Sequence, residues 1–171
     1  QATFPAAFQL VAAMNPCPCG WLGAPAATGH ACRCTPDAVA RYRGRLSGPL
    51  LDRIDLQVEV LAAAPAQLLA QADGEPSAGV AARVAQARTR QLARQQRTNA
   101  ALEVAALDRH CALDAAARGL LLGSAERLGW SGRRVHRCLR VARTIADLAA
   151  SEAIGRIHLA EALQLQRVPT V

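Results

Sequence analysis

The spacing of apolar and polar positions changes character near the middle of the chain. Phe8-Gln9-Leu10-Val11-Ala12-Ala13-Met14 is a nearly continuous apolar run stopped by Asn15-Pro16, as expected of a strand buried on both faces of a parallel sheet. Leu56-Gln57-Val58-Glu59-Val60 is a second short strand candidate. Between them a Cys-, Gly- and Pro-rich stretch leads through Thr35-Pro36 into a helix predicted from about Asp37 to Leu51. Gly, Pro and Ser then cluster in Ala72-Asp73-Gly74-Glu75-Pro76-Ser77, which marks a boundary. Beyond it there is no strand signal. Ser77 to Arg97 reads as one long helix, Asp114 can cap a second that ends at Gly129, Ser131 can cap a third running to about Ala150, and Ile157 to Gln166 makes a fourth. The predicted fold class is an α/β remnant, the last strands of a parallel sheet within residues 1–76, followed by an all-α domain over residues 77–171, mostly helical overall.

Composition sharpens this picture. Hydrophobic residues make up 51% of the 171, enough to build a core, and the abundance of Ala among them favours helix. No apolar run approaches the roughly 20 residues needed to span a bilayer, so the chain reads as a soluble, cytoplasmic protein. It begins with Gln1 and not Met, and we expect a piece of something longer. All 20 basic residues are arginine, and there is no lysine. A phosphate loop of the Walker A type and any Schiff-base chemistry are therefore excluded within this sequence. The formal charge of +7 is unevenly placed. Residues 1–76 carry five Arg against six acids, whereas residues 77–171 carry fifteen against seven.

The cysteines give the first chemical signal. Cys17, Cys19, Cys32 and Cys34 form C-x-C-x12-C-x-C in a loop that also holds Gly20, Gly23, Gly29 and His30. Two close thiolate pairs separated by a turn-forming loop can supply four tetrahedral ligands to Zn²⁺, and His30 could replace one of them. Two disulfides and reduced thiols without metal are the alternatives. A zinc site of four thiolates would be structural, since it leaves no coordination position open. Cys138 shares a helical face with Val135, Leu139, Ala142 and Ala146 and is expected in the core; Cys111 is also read as structural. Arg83, Arg90, Arg94 and Arg97 fall on one helical face, which we place opposite the arc of Val80, Val84 and Ala87. That face is either a phosphate-contacting stripe for nucleic acid or a solvated surface in a lysine-free protein. Arg133, in the first turn after Ser131, could add its charge to the positive helix end and approach an anion there. His110, His136 and His158 are read as surface or partly buried polar residues rather than ligands.

Several motifs, in order, carry a resemblance. Phe8-Gln-Leu-Val-Ala-Ala-Met-Asn-Pro-Cys-Pro-Cys-Gly20, then Cys32-x-Cys34, then Arg45-Leu-Ser-Gly-Pro-Leu-Leu-Asp-Arg-Ile-Asp-Leu56, and finally His136-Arg-Cys-Leu-Arg-Val-Ala-Arg-Thr-Ile-Ala-Asp-Leu148 closely resemble the C-terminal part of magnesium chelatase-like AAA+ ATPases, in particular the ComM/YifB competence-protein branch. The resemblance runs through nearly the whole chain. It implies that residues 1–76 are the C-terminal part of an AAA+ core with a Cys-rich insertion at 16–36, and that residues 77–171 are the helical lid. In that family Walker A and Walker B come earlier in the chain.

The resemblance also implies roles. Asn15, at the end of the first apolar run, matches sensor 1, which orients the attacking water; read without it, an Asn before Pro is a good turn residue. Arg53 matches the arginine finger that reaches the γ-phosphate held by a neighbouring subunit, where the alternative is an ion pair with Asp52 or Asp55. Arg133 matches sensor 2, which contacts nucleotide phosphate from the lid. The implied cofactors are ATP and Mg²⁺, held mainly by the part of the family pattern that is not in this sequence, together with Zn²⁺. The implied partners are further copies of the chain, in a ring that the family pattern makes a hexamer, and DNA. The implied function is an ATP-dependent ring motor, a DNA branch-migration helicase in recombination and natural transformation, with these 171 residues alone inactive as an ATPase. Two alternatives stay open: a magnesium chelatase-type subunit coupling hydrolysis to metal insertion, and a zinc-stabilised DNA-binding module with no ATPase role.

Overall fold

The computed structural model describes residues 2, 8–24, 29–61 and 74–166. They fall into two compact units, one holding residues 2, 8–24, 29–47 and 61, the other residues 48–60 and 74–166.

The first unit contains the cysteine loop and α1 (Pro36–Arg43). Thr35 caps α1, its Oγ1 accepting the Ala38 N–H at 3.3 Å, while Pro36 supplies a preset φ where no intrahelical N–H is needed. The helix predicted to run on to Leu51 stops at Arg43, and Gly44 closes it by donating to Ala40 O at 2.8 Å. A short α2 (Gly48–Leu51) follows as part of the second unit. The break fits Pro49, which has no N–H to give to Arg45 O and so interrupts a continuous helix through 45–49, while near the start of α2 its missing N–H costs nothing.

The second unit is a helical bundle of α3 (Ser77–Gln95), α4 (Val104–His110), α5 (Ala115–Leu128), α6 (Gly132–Leu148) and α7 (Arg156–Gln164), with a 3₁₀ turn at Asn99–Ala101. The predicted caps form. The Asp114 carboxylate accepts the Ala117 N–H at 2.7 Å and Ser131 Oγ accepts the Arg134 N–H at 3.4 Å. Gly129 ends α5 in the left-handed region at φ 59°, where a side chain would be strained. α4 was not foreseen; it lacks a side-chain cap and is only seven residues long.

α6 is the spine of this unit and packs against α3, α4 and α7, while α5 packs against α7. Its buried stripe of Cys138, Ala142 and Ala146 faces Leu102, Leu107, Cys111, Leu121, Leu159 and Leu163. The small residues on α6 let neighbouring helices approach closely, so the core is narrow and sensitive to added volume. Burial pushes the Cys111 thiol up to about 11 and that of Cys138 to about 12, so both stay protonated and apolar at neutral pH. Both cysteines are therefore core residues, as read.

The two predicted strands do not form. Among the described residues there is no strand, and the one ladder-like contact is an isolated bridge between Leu113 and Ile154. Phe8, Val11, Val58 and Val60 are exposed. A strand needs a neighbour to receive its backbone groups. Gln57 instead donates its N–H to Leu165 O at the end of α7, at 2.7 Å.

Candidate functional site

The cysteine loop is closed by its own backbone. Gly20 donates to Cys17 O at 3.0 Å and takes φ +83°, a conformation that favours glycine. This turn brings Cys17 and Cys19 together with Cys32 and Cys34, all four Sγ atoms lying within 4.8 Å of one another. Cys17 Sγ is 3.4 Å from Cys19 Sγ and 3.7 Å from Cys32 Sγ, and Cys19 and Cys32 are also 3.7 Å apart. Four sulfurs around Zn²⁺ at about 2.3 Å would be separated by about 3.8 Å. None of the four is in a disulfide. Backbone N–H groups of Trp21 and then Arg33 hold the Cys19 thiol down at about 6, while, against the Cys19 backbone N–H, burial and the neighbouring sulfurs push Cys34 up to about 12, so the four thiols share their protons unevenly. The donor set and its spacing therefore fit a tetrahedral metal. His30 has another place: its ring stacks on Trp21 with centroids 4.1 Å apart. Arg43 ties α1 to this loop by donating to Pro16 O at 3.4 Å. Asn15 is exposed, with its side chain beside Gly20.

In the helical unit the arginines divide into those held by the protein and those offered to solvent. Along α6, Arg134 donates to Gln166 O at 2.6 Å and lies 5.0 Å over the Trp130 ring. Arg137 pairs with Asp55 at 2.9 Å, Arg140 forks onto Leu102 O at 2.7 and 3.0 Å, and buried Arg143 donates to Ser151 O and Glu152 O. Arg133, in the first turn, is exposed and is engaged by none of the described residues. Arg53 lies just past α2, exposed, and donates to Pro49 O at 3.0 Å. The ion pair that could have absorbed it goes instead from Asp55 to Arg137.

The series Arg83, Arg90, Arg94 and Arg97 is not one solvent-facing stripe, and its face was placed wrongly. The buried positions of α3 are Ala87 and Gln91, while Val80 and Val84 are exposed. Arg94 turns inward and grips Asp147 with two bonds of 2.6 and 2.9 Å, and Arg90 donates to Asp147 O at 3.0 Å. Asn99 donates to the same carboxylate at 2.8 Å, and Arg143 lies 3.1 Å from it. A carboxylate 1% exposed demands such partners, and that demand outweighs the polarity of the α3 face. Burial alone would raise the Asp147 pKa, but the Arg94 fork, Asn99 and Arg143 overcome it and hold the carboxyl below its ordinary value. Arg83 and Arg97 stay at the surface, paired with Glu75 at 2.7 Å and Glu103 at 2.9 Å. His158 is buried and accepts the Gly155 N–H on Nδ1 at 3.1 Å, helping to start α7. Asp147 is the polar residue that sequence reasoning missed, the four-residue step from Arg143 being its visible signal, and the ion pair considered for Asp55 forms with Arg137 and not with Arg53.

Fold and site define a helical module that carries arginine and no lysine, joined in sequence to a four-cysteine loop suited to a metal. Residues 74–166 match the family described as magnesium chelatase, subunit ChlI C-terminal, and residues 1–68 match magnesium chelatase, subunit ChlI. The chain belongs to this magnesium chelatase-like AAA+ family, on the ComM/YifB branch. It is 44% identical to the uncharacterized protein YifB of Escherichia coli over 97% of its own length and 32% of that protein's. Identity to the competence protein ComM of Haemophilus influenzae is also 44%, over 94% of this chain and 31% of that one. An uncharacterized protein of Mycobacterium bovis is 41% identical over 97% of this chain and 33% of its own. The chain thus spans about a third of the length of the curated relatives it matches. No helix among the described residues is long and apolar enough to cross a membrane.

Proposed function

We propose that this chain supplies the arginine side of the nucleotide site in an ATP-driven ring motor that works on DNA. The observation that carries the reading is that Arg53 and Arg133, the two arginines the family motifs single out, are both exposed, Arg133 with no partner among the described residues and Arg53 held only by Pro49 O. The unit ties Arg94, Arg134, Arg137, Arg140 and Arg143 to its own acceptors, and these two guanidiniums are among those it leaves turned outward. Arg53 acts as the finger on a neighbouring subunit's γ-phosphate, Arg133 as sensor 2, and Asn15 as sensor 1. Two outward guanidiniums suit contact with a bound nucleotide; a lysine-free chain does not suit cradling one. ATP and Mg²⁺ bound by the rest of the ring would supply the phosphoryl group and neutralise its charge. In the same reading, residues 1–76 belong to the AAA+ core, residues 77–171 form its lid, and Phe8–Met14 and Leu56–Val60 pair with strands beyond this sequence.

Cys17, Cys19, Cys32 and Cys34 would hold Zn²⁺, which cross-links a loop with few large apolar residues of its own. DNA as the working partner, and branch migration during recombination as the task, follow the resemblance and the word competence in the name of the Haemophilus relative. Of the series Arg83, Arg90, Arg94 and Arg97, Arg83 and Arg97 are the ones available to phosphate. Their acid partners are 47% and 77% exposed, and such surface pairs exchange easily. ATP hydrolysis by the complete gene product tests the reading. Arg53→Ala is expected to lower kcat by about 10³-fold or more with ring assembly intact, and Arg133→Ala to weaken nucleotide use. Hydrolysis undiminished in Arg53→Ala would refute the assignment.

A further inference from the structure

The finger segment is not loose in this structure. Arg137, in the second turn of α6, has a side chain only 11% exposed, and its donors reach the residues just after Arg53. Nε meets Asp55 Oδ1 at 2.9 Å and one terminal nitrogen donates to Ile54 O at 3.3 Å. Two residues further on, the Gln57 N–H closes on Leu165 O at 2.7 Å, and Arg134 holds Gln166 O at 2.6 Å. Arg134, Arg137, Gln57 and Gln166 line one small cleft with Asp52 and Ile54. Inside it Gln166 is 4% exposed. A guanidinium so covered must satisfy its donors locally, and here it does so on residues 54 and 55. Ile54 and Asp55, next to Arg53, are thereby fastened to the first half of α6, the helix whose opening turn presents Arg133, and Gln57 is held at Leu165 just past α7.

We propose that Arg137 and Asp55 are a positioning pair that fixes Arg53 relative to Arg133, so that the finger and the lid arginine are presented as one rigid set. Neither residue of the pair touches nucleotide; each acts through Arg53. The inference rests on the finger reading of Arg53, and its consequences are separable from it. Misplacing a catalytic group by about 1 Å can cost about 10²-fold in rate, which gives such a clamp functional weight beyond the modest stability of a partly exposed ion pair.

The test has two arms. In the 171-residue chain, hydrogen exchange at the Gln57 amide is compared with exchange at Ala142 and Ala146 in the α6 core. Asp55→Asn changes a mostly exposed carboxylate and should leave the fold intact; Arg137→Gln removes the charge from the other side. Both are expected to speed Gln57 exchange by about tenfold while leaving the α6 amides unchanged, and Arg53→Ala is expected to leave both unchanged. In the complete gene product the same two variants should lower kcat by about 10- to 100-fold with KM for ATP little altered, and Asp55→Arg with Arg137→Asp should recover part of the loss. Unchanged Gln57 exchange in both variants overturns the clamp. Faster exchange with full kcat, in a protein where Arg53→Ala is inactive, overturns the positioning role. Full kcat in Arg53→Ala overturns the finger reading itself, whatever the exchange arm gives.

Discussion

Asp147 shows how far a single side chain can decide what its neighbours do. Its carboxylate is buried and charged, so Arg94, Asn99 and Arg143 are drawn into the core and α3 is turned away from the face its amphipathic pattern suggests. A helical wheel reads Arg94 as solvent-facing because it weighs each helix alone; the partner that reverses it lies 53 residues away. By contrast, Cys138 was legible because its apolar neighbours recur on its own helix. Removing Asp147 strands two inward arginines. Asp147→Ala is expected to destabilise the helical unit by about 3–5 kcal/mol, measured by urea unfolding. The pH dependence follows from the direction of the shift. With the folded pKa below the unfolded one, this carboxylate's stabilisation is present above the ordinary carboxylate range near pH 4 and is lost as pH falls through the lower folded value. Acid unfolding of the native protein should therefore be steeper than that of Asp147→Asn, and identical acid profiles would contradict the network.

At the scale of elements, helices with local signals were readable and those without were not. Asp114, Ser131 and Gly129 mark their helix ends in the sequence, and the structure ends the helices there. The break after Arg43 was hidden because Ser47-Gly48-Pro49 had been read through as helix. The apolar run at Phe8–Met14 suits a sheet interior but does not name the strands that would cover it, and Phe8 and Val11 stand exposed here. The cysteine loop is the element whose order depends most on a ligand. Its spacing was plain in the sequence, and folding brings the four sulfurs to metal-binding separations. Protein purified without chelator is expected to carry about one zinc per chain, measured by elemental analysis. Cys17→Ser should release it and leave the α6 core amides protected. A metal ratio near zero would show plain thiols.

For the whole molecule, the division of arginines is the feature that joins sequence to function. The absence of lysine was visible at once, and it restricted the chain to guanidinium contacts with phosphate. Which of the 20 arginines are offered outward was not visible, because that depends on carbonyls and carboxylates brought up by folding. Arg53 and Arg133 share their outward exposure with Arg88, Arg109, Arg118, Arg127 and Arg156, and it is the family motifs that single them out. If Arg53 serves a neighbouring subunit, its loss must be curable by that neighbour. The decisive measurement mixes two inactive forms of the complete gene product: Arg53→Ala, and a subunit whose own nucleotide pocket is disabled but whose Arg53 is intact. The account predicts that ATP hydrolysis reappears in the mixed rings, because the intact Arg53 of one subunit reaches nucleotide held by the other. Mixed rings that assemble and remain as inactive as either parent would contradict it.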